Sequence, residues 1–187
     1  RATRNRYRSQ KRAFRVADQI LPVFPTTLMQ RRLEGMEEAN RQLAALAAQI
    51  EAILAAVDGF PFIKGFILNT EAPKPYLGLN TPEAVLRTMP GTLCGPIRRK
   101  PVDEAVVAWY RRIDRTRHVV IAAGGISSAE DAYRRIRLGA SLVGVLSALV
   151  FRGPGVVREI KMGLCRLLER DGFANVSQAV GVDTSPA

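Results

Sequence analysis

Two cysteines (Cys94 and Cys165), one histidine (His118) and a Gly124-Gly125 pair followed by Ser127-Ser128 are the residues of this 187-residue sequence whose chemistry is easiest to read. The cysteines are far apart and form no CxxC pair, and His118 has no second histidine or clustered cysteine to share a metal with. No metal site and no disulfide framework are expected. His118 directly precedes an apolar run and reads as a partly buried or strand-edge histidine. Cys94 could act as a nucleophile or base only beside an activating partner; no histidine lies nearby in sequence, so a small buried thiol is expected. The Gly-Gly pair marks a tight turn, with Ser127 or Ser128 as the N-cap of a following helix.

Charge is the next chemical signal. Twenty-eight basic against 17 acidic residues give a net charge of +11, with arginine outnumbering lysine 23 to 5, which favours polyanions such as RNA or an anionic membrane face. Much of the excess is concentrated in Arg1, Arg4, Arg6, Arg8, Lys11, Arg12 and Arg15, a stretch without an acid. Such an arm reads as a remnant of an Arg-rich organellar targeting segment, as a tail that contacts RNA or a partner, or as a solvated terminus. The longest uncharged run, Leu138 to Phe151, is shorter than the roughly 20 residues that cross a bilayer, so no transmembrane segment is expected and a soluble protein or subunit is.

The elements that must position these residues alternate between helix and strand. Pro22 and Pro25 break the chain, Thr26-Thr27 offer an N-cap, and apolar residues at three- and four-residue steps predict a long amphipathic helix over 28–57. That helix either lies on a sheet or presents a coiled-coil seam. Phe60 to Asn69 reads as a buried strand preceded by a short irregular entry, and 71–101 as a proline-rich loop with a helical turn at 81–87. A helix is predicted over 102–116, a strand over 118–123, and a helix over 129–138 with Arg134, Arg135 and Arg137 on its exposed side. A strand over 142–147, a final helix over 153–170 and an ordered tail complete the chain. This order predicts parallel α/β connectivity. The expected domains are a basic arm and linker, 1–27, and an α/β domain, 28–187.

The stretch Val119 to Asp183 (VVIAAGGISSAEDAYRRIRLGASLVGVLSALVFRGPGVVREIKMGLCRLLERDGFANVSQAVGVD) resembles the end of membrane-associated, quinone-linked dihydroorotate dehydrogenases. The Gly-Gly turn, the Gly-Ala-Ser before the next strand, the Gly-Pro and the Gly-Phe with its tail recur at that spacing. Upstream, GFILNT (Gly65 to Thr70) is similar to the family's sixth strand, and PGTLCGPI (Pro90 to Ile97) to a worn Gly-Gly-Leu-Ser-Gly loop. The resemblance implies about the last three units of a partial (β/α)8 barrel, carrying an added basic arm and long helix. A whole barrel takes about 250 residues.

On this resemblance, Gly124 and Gly125 contact the FMN phosphate, because loops after the last strands present unpaired N–H groups to an anion. Leu146 and Ser147 take the second phosphate position, usually Tyr-Thr in the family, and Asn69 holds the pyrimidine. Catalysis in the family removes a proton from C5 of dihydroorotate while a hydride passes to the flavin. The serine base and the lysine that serve it have no matching pattern here, and Lys64 stands in the wrong place for the latter. Thr92, Cys94 and Leu146 replace a glycine, a serine and an aromatic residue.

No catalytic residue is therefore assigned. The expected function is a non-catalytic structural subunit of a large mitochondrial assembly, preferably the mitochondrial ribosome, next a respiratory or ATP synthase complex. It would hold no cofactor and would contact protein subunits and ribosomal RNA. The alternatives are part of an FMN-dependent dihydroorotate dehydrogenase and a small phosphate-binding module.

Overall fold

The computed structural model describes residues 25–71, 79–88 and 92–184; the basic arm, Arg1 to Arg15, and Pro22 lie outside the described residues, as does part of the proline-rich segment. The chain divides into two compact units, Arg1–Gln49 and Ile50–Ala187. The first unit is described by one element, the greater part of helix α1 (Pro25–Val57). Pro25 opens this helix instead of preceding it, since the first helical residue needs no N–H partner and proline already has a helical φ.

The second unit runs β1 (Gly65–Leu68), α2 (Glu83–Thr88), a 3-10 turn (Pro96–Arg98), α3 (Arg99–Tyr110), β2 (Val119–Ala123) and α4 (Ala129–Arg137). It continues with β3 (Leu142–Gly144), α5 (Ser147–Arg152), α6 (Gly155–Arg170) and α7 (Val176–Ala179). The three strands form one parallel sheet in the order β1-β2-β3, with Ile67 opposite Ile121 and Ile121 opposite Leu142. The chain has the fold of a partial (β/α)8 barrel, its strands joined through helices as parallel strands require.

Several elements are shorter or shifted from those read in the sequence, each for a local reason. Residues 60–63 turn, Ile63 N–H bonding to Phe60 C=O at 3.1 Å, so β1 begins at Gly65 and not at Phe60. Helix α3 begins at Arg99 because Pro101 lies in its first turn, where no N–H is required. It stops at Tyr110 and not at Thr116; farther on, Asp114 accepts from the N–H and hydroxyl of Thr116 at 2.9 and 2.6 Å, a local turn that competes with helix. Strand β3 ends at Gly144 because Leu146 caps a helix, α5, that the apolar run concealed.

One face of the sheet is closed by helices. Val120 and Ala122 are fully buried and Leu68 nearly so. Phe66 places its ring 4.5 Å from Trp109 of α3 and 5.3 Å from His118. Helices α4 and α6 bring Ile126, Ala132, Val156 and Ile160 together with Val143 of β3. The opposite face carries Ile67, Leu142 and Val119 at 71%, 59% and 40% exposure. Alternation along a strand puts these on the same side, so an apolar sheet face is open.

Tyr110 ends α3 in a slot made by two glycines. Gly139 has φ +126°, and a Cβ there would stand 2.3 Å from Tyr110 Cγ; one on Gly181 would fall 2.2 Å from the same ring. The Tyr110 hydroxyl donates to Val180 C=O at 3.2 Å. Gly139→Ala therefore meets both a forbidden contact and a strained φ, and urea unfolding is expected to show a loss of about 2–4 kcal/mol. Tyr110→Phe, which loses only a hydrogen bond, is expected to cost about 1 kcal/mol.

Candidate functional site

Because the three strands are parallel, their carboxyl ends lie at one edge of the sheet, where α/β folds assemble sites from loops. Asn69 follows β1, Gly124-Gly125 follow β2, and Leu146-Ser147 follow β3. All five line one open cleft of about 470 Å³, together with Thr92, Cys94 and Arg98. That size lies within the roughly 300–1,000 Å³ of small-molecule sites. The site residues that the resemblance implies are thus brought together; His118 and Cys165 do not line the cleft, and the basic arm lies outside the described residues.

The Gly-Gly turn is shaped by what approaches it. Gly124 and Gly125 have φ of +110° and +74°, and a Cβ on Gly125 would lie 2.9 Å from the backbone nitrogen of Arg99. Only glycine permits that approach. Gly125 C=O accepts from Arg99 Nε at 3.1 Å and Gly124 C=O from Arg135 Nη2 at 3.3 Å, so arginines hold the carbonyl side of the turn. Across the cleft, Ser147 opens α5, and the first N–H groups of a helix have no partner within it.

Two arginines that the sequence reading passed over frame this turn. Arg99 reaches Ser127 Oγ at 3.2 Å and Asp131 at 2.9 Å. Asp131 also accepts from Ser127 N–H and Oγ, both at 3.0 Å, while its N–H bonds to the capping Ser128 hydroxyl. Burial pushes the Asp131 carboxyl up, but the Ser127 donors and the Arg99 guanidinium outweigh it and hold it below its ordinary 3.8. Arg98 is 5% exposed; its Nε donates to Leu93 C=O at 2.8 Å and its Nη1 to Asn69 Oδ1 at 2.5 Å. A pair of arginines after a proline was the available signal, but which of them turns inward depends on the 3-10 turn before α3.

Three expectations are corrected. Arg135 is not on the exposed side of α4: it is 2% exposed, with Asp103 Oδ1 2.6 Å from its Nε. Burial, reinforced by neighbouring Arg134, pushes its guanidinium down to about 10. Helix α4 packs on both β3 and α6, which turns this position inward. The Cys94 thiol is exposed instead of buried, because its loop faces the cleft and not the core. His118 is buried, at 6% exposure, with neither ring nitrogen hydrogen-bonded, because its ring packs beside Phe66. Among the described residues no cluster could hold a metal ion, and no helix is long and apolar enough to cross a membrane.

Comparison with known proteins agrees with this arrangement. A family model described as dihydroorotate dehydrogenase matches residues 44–168. The dihydroorotate dehydrogenase (quinone) of Sulfurovum sp. is 54% identical over 65 residues, covering 35% of this chain and 18% of that protein. The enzyme of the same name from Xanthobacter autotrophicus is 43% identical over 145 residues, covering 75% and 37%. The crystal structure of ligand-free dihydroorotate dehydrogenase from Eimeria tenella superposes with a TM-score of 0.61 at 30% identity, over 72% of this chain and 36% of that one. This chain therefore spans less than two fifths of the length of these relatives.

The Asp131 network carries a pH signature. Its folded-state carboxyl lies below 3.8, so its contribution is complete above that value and is lost as pH falls through the lower, folded one. Asp131→Asn is expected to lower stability by about 1–2 kcal/mol at neutral pH. The gap in melting temperature between variant and parent should shrink below about pH 3.8; a constant gap down to pH 2.5 would remove Asp131 from this role.

Proposed function

This chain belongs to the dihydroorotate dehydrogenase family, and on that premise we propose that it builds the flavin-phosphate end of a quinone-linked dihydroorotate dehydrogenase site. The observation that carries this reading is the meeting of Asn69, Gly124, Gly125 and Ser147 in one cleft at the carboxyl ends of the strands. The residues fit FMN in two respects. The turn is built of two positive-φ glycines whose carbonyls point to arginines, and Gly125 N–H makes no backbone hydrogen bond among the described residues. The cleft is also lined mostly by apolar and small groups, as a flat ring system requires.

Gly125 and Ser147 would hold the phosphate through their N–H groups, Leu146 would cover the apolar side, and Asn69 would orient the pyrimidine. FMN, when bound, supplies the acceptor for a hydride. The proton at C5 of dihydroorotate needs a base that this sequence lacks. Cys94 is exposed at the cleft, and among the described residues its Sγ is hydrogen-bonded to Thr92 C=O, at 3.9 Å, and to no base. Complete oxidation of dihydroorotate to orotate on this reading requires a group outside residues 1–187.

A second reading is supported by the charge of +11 and by the basic cluster in residues 1–15. On it the chain keeps the family fold without the redox step, holds no cofactor, and serves as a structural subunit of a mitochondrial assembly, in contact with ribosomal RNA or with protein subunits. The open apolar sheet face favours a covering partner in either case.

Flavin titration separates the two readings. The first expects FMN to bind with quenching of its fluorescence and riboflavin to bind at least about tenfold more weakly, since only FMN offers the phosphate. Ser147→Asp, which sets a negative charge against that phosphate, should weaken FMN by a similar factor and leave riboflavin unchanged. Equal affinity for the two flavins would defeat the phosphate assignment. No binding of either, with co-sedimentation of ribosomal RNA that Arg1, Arg4, Arg6 and Arg8→Ala abolish, would establish the second reading.

A further inference from the structure

We propose that helix α1 (Pro25–Val57) is a dimerisation helix, pairing in parallel and in register with the same helix of a second copy of this chain. The pairing is independent of what the cleft binds. Along α1, Met36, Asn40, Leu43, Ala47, Ile50 and Leu54 follow one another at alternating steps of four and three residues, so the stripe repeats every seven. A repeat of 3.5 residues per turn instead of 3.6 keeps one line only where two helices wind around each other. From Ile50 onward the stripe belongs to the second unit, in which Ile50 is 1% exposed. In the first unit it is uncovered: Met36 and Leu43 are 61% and 57% exposed, and every residue from 34 to 45 is exposed. A helix without packing of its own is marginal in water, and Gly35, where an added Cβ would meet nothing within 4 Å, weakens it further.

Asn40 decides what the partner is. An apolar seam alone would accept any amphipathic helix, but a single amide in its middle needs a polar group opposite. In a parallel pair in register each seam residue faces its own copy, so the two Asn40 amides donate and accept across the seam. In an antiparallel pair the positions exchange, and Asn40 would be buried against an apolar side chain such as Leu43, with its hydrogen bonds unmade. Among the described residues the Asn40 amide makes no hydrogen bond within its own chain, which leaves it available for the second copy. Glu38, Arg41 and Gln42 lie on the opposite face of the helix, where Glu38 holds Arg41 at 2.9 Å and accepts from Gln42 Nε2 at 2.9 Å. Beside the stripe, Ala39 of one copy would stand next to Ala44 of the other, small neutral residues that set no like charges together.

Sedimentation equilibrium of the whole chain, freed of nucleic acid, reads the assembly over a concentration series, and monomer and dimer in equilibrium are expected. Leu43→Lys, which sets two cations against each other in the seam, should weaken dimerisation at least about tenfold. Ala45→Lys, on the opposite face, should leave it unchanged. Both positions are exposed, so the urea unfolding of the second unit is expected to be the same in both variants. Asn40→Leu, which removes the polar layer, should tighten association and let trimers or tetramers form. Under mild oxidation Leu43→Cys should join two copies through that position, read by mass spectrometry of the linked peptides. A monomer at every concentration, or a dimer that Leu43→Lys does not weaken because it forms through the open sheet face, would overturn the proposal. So would unchanged association in Asn40→Leu, or a Leu43→Cys dimer in which the two substituted positions are never linked.

Discussion

The open end of the sheet depends on how closely Arg99 approaches the Gly124-Gly125 turn. There is no room for even one carbon between the Arg99 backbone and Gly125, and that closeness seats the start of α3 against the end of β2. Once seated, Arg99 reaches Asp131 and ties α3 to the first turn of α4, which Ser128 caps. The 3-10 turn just before it then delivers Arg98 to Asn69, at the end of β1. The ends of β1 and β2 are thereby linked through one backbone contact, and their loops share a cleft with Leu146 and Ser147 after β3.

Arginine plays two parts in this chain that composition cannot separate. Arg98 and Arg135 are interior, Arg99 is bound to Asp131 and Ser127, Arg137 bridges Asp171 and Asp183, and Arg117 donates to Asp58. The hydrogen bond to Arg170, followed by that to Tyr133, holds the Asp171 carboxyl well below the usual range, and the Arg137 bond does the same for Asp183. Many of these arginines therefore tie helices to loops. A count of charges overstates what the described surface offers to a polyanion, and the case for one rests on the amino-terminal cluster.

The alternation of elements was legible because each strand is a short apolar run closed by glycine or asparagine and each helix repeats its apolar residues at helical spacing. The glycine pairs and the Ser127-Ser128 cap also revealed the turn after β2. Tertiary facts were not legible. Helix α5 hides inside an apolar run that continues β3, and a period-two and a period-3.6 pattern cannot be told apart over so few residues. Arg135 follows another arginine on a helix that reads as charged, and only the packing of α4 between β3 and α6 buries it. Arg98 was missed for the same reason, since nothing in a basic pair after a proline says which cation turns inward.

The uncovered side of the sheet also bears on how this chain responds to temperature. Apolar area that is already in water in the folded state adds nothing to the heat capacity released on unfolding, which scales with newly exposed apolar surface. With Ile67, Leu142 and Val119 hydrated from the start, the stability curve of this sheet is broader and shallower than that of a closed barrel of equal length. Whatever covers that face steepens the curve as well as raising it, so its arrival would be registered as curvature before it is seen as a contact.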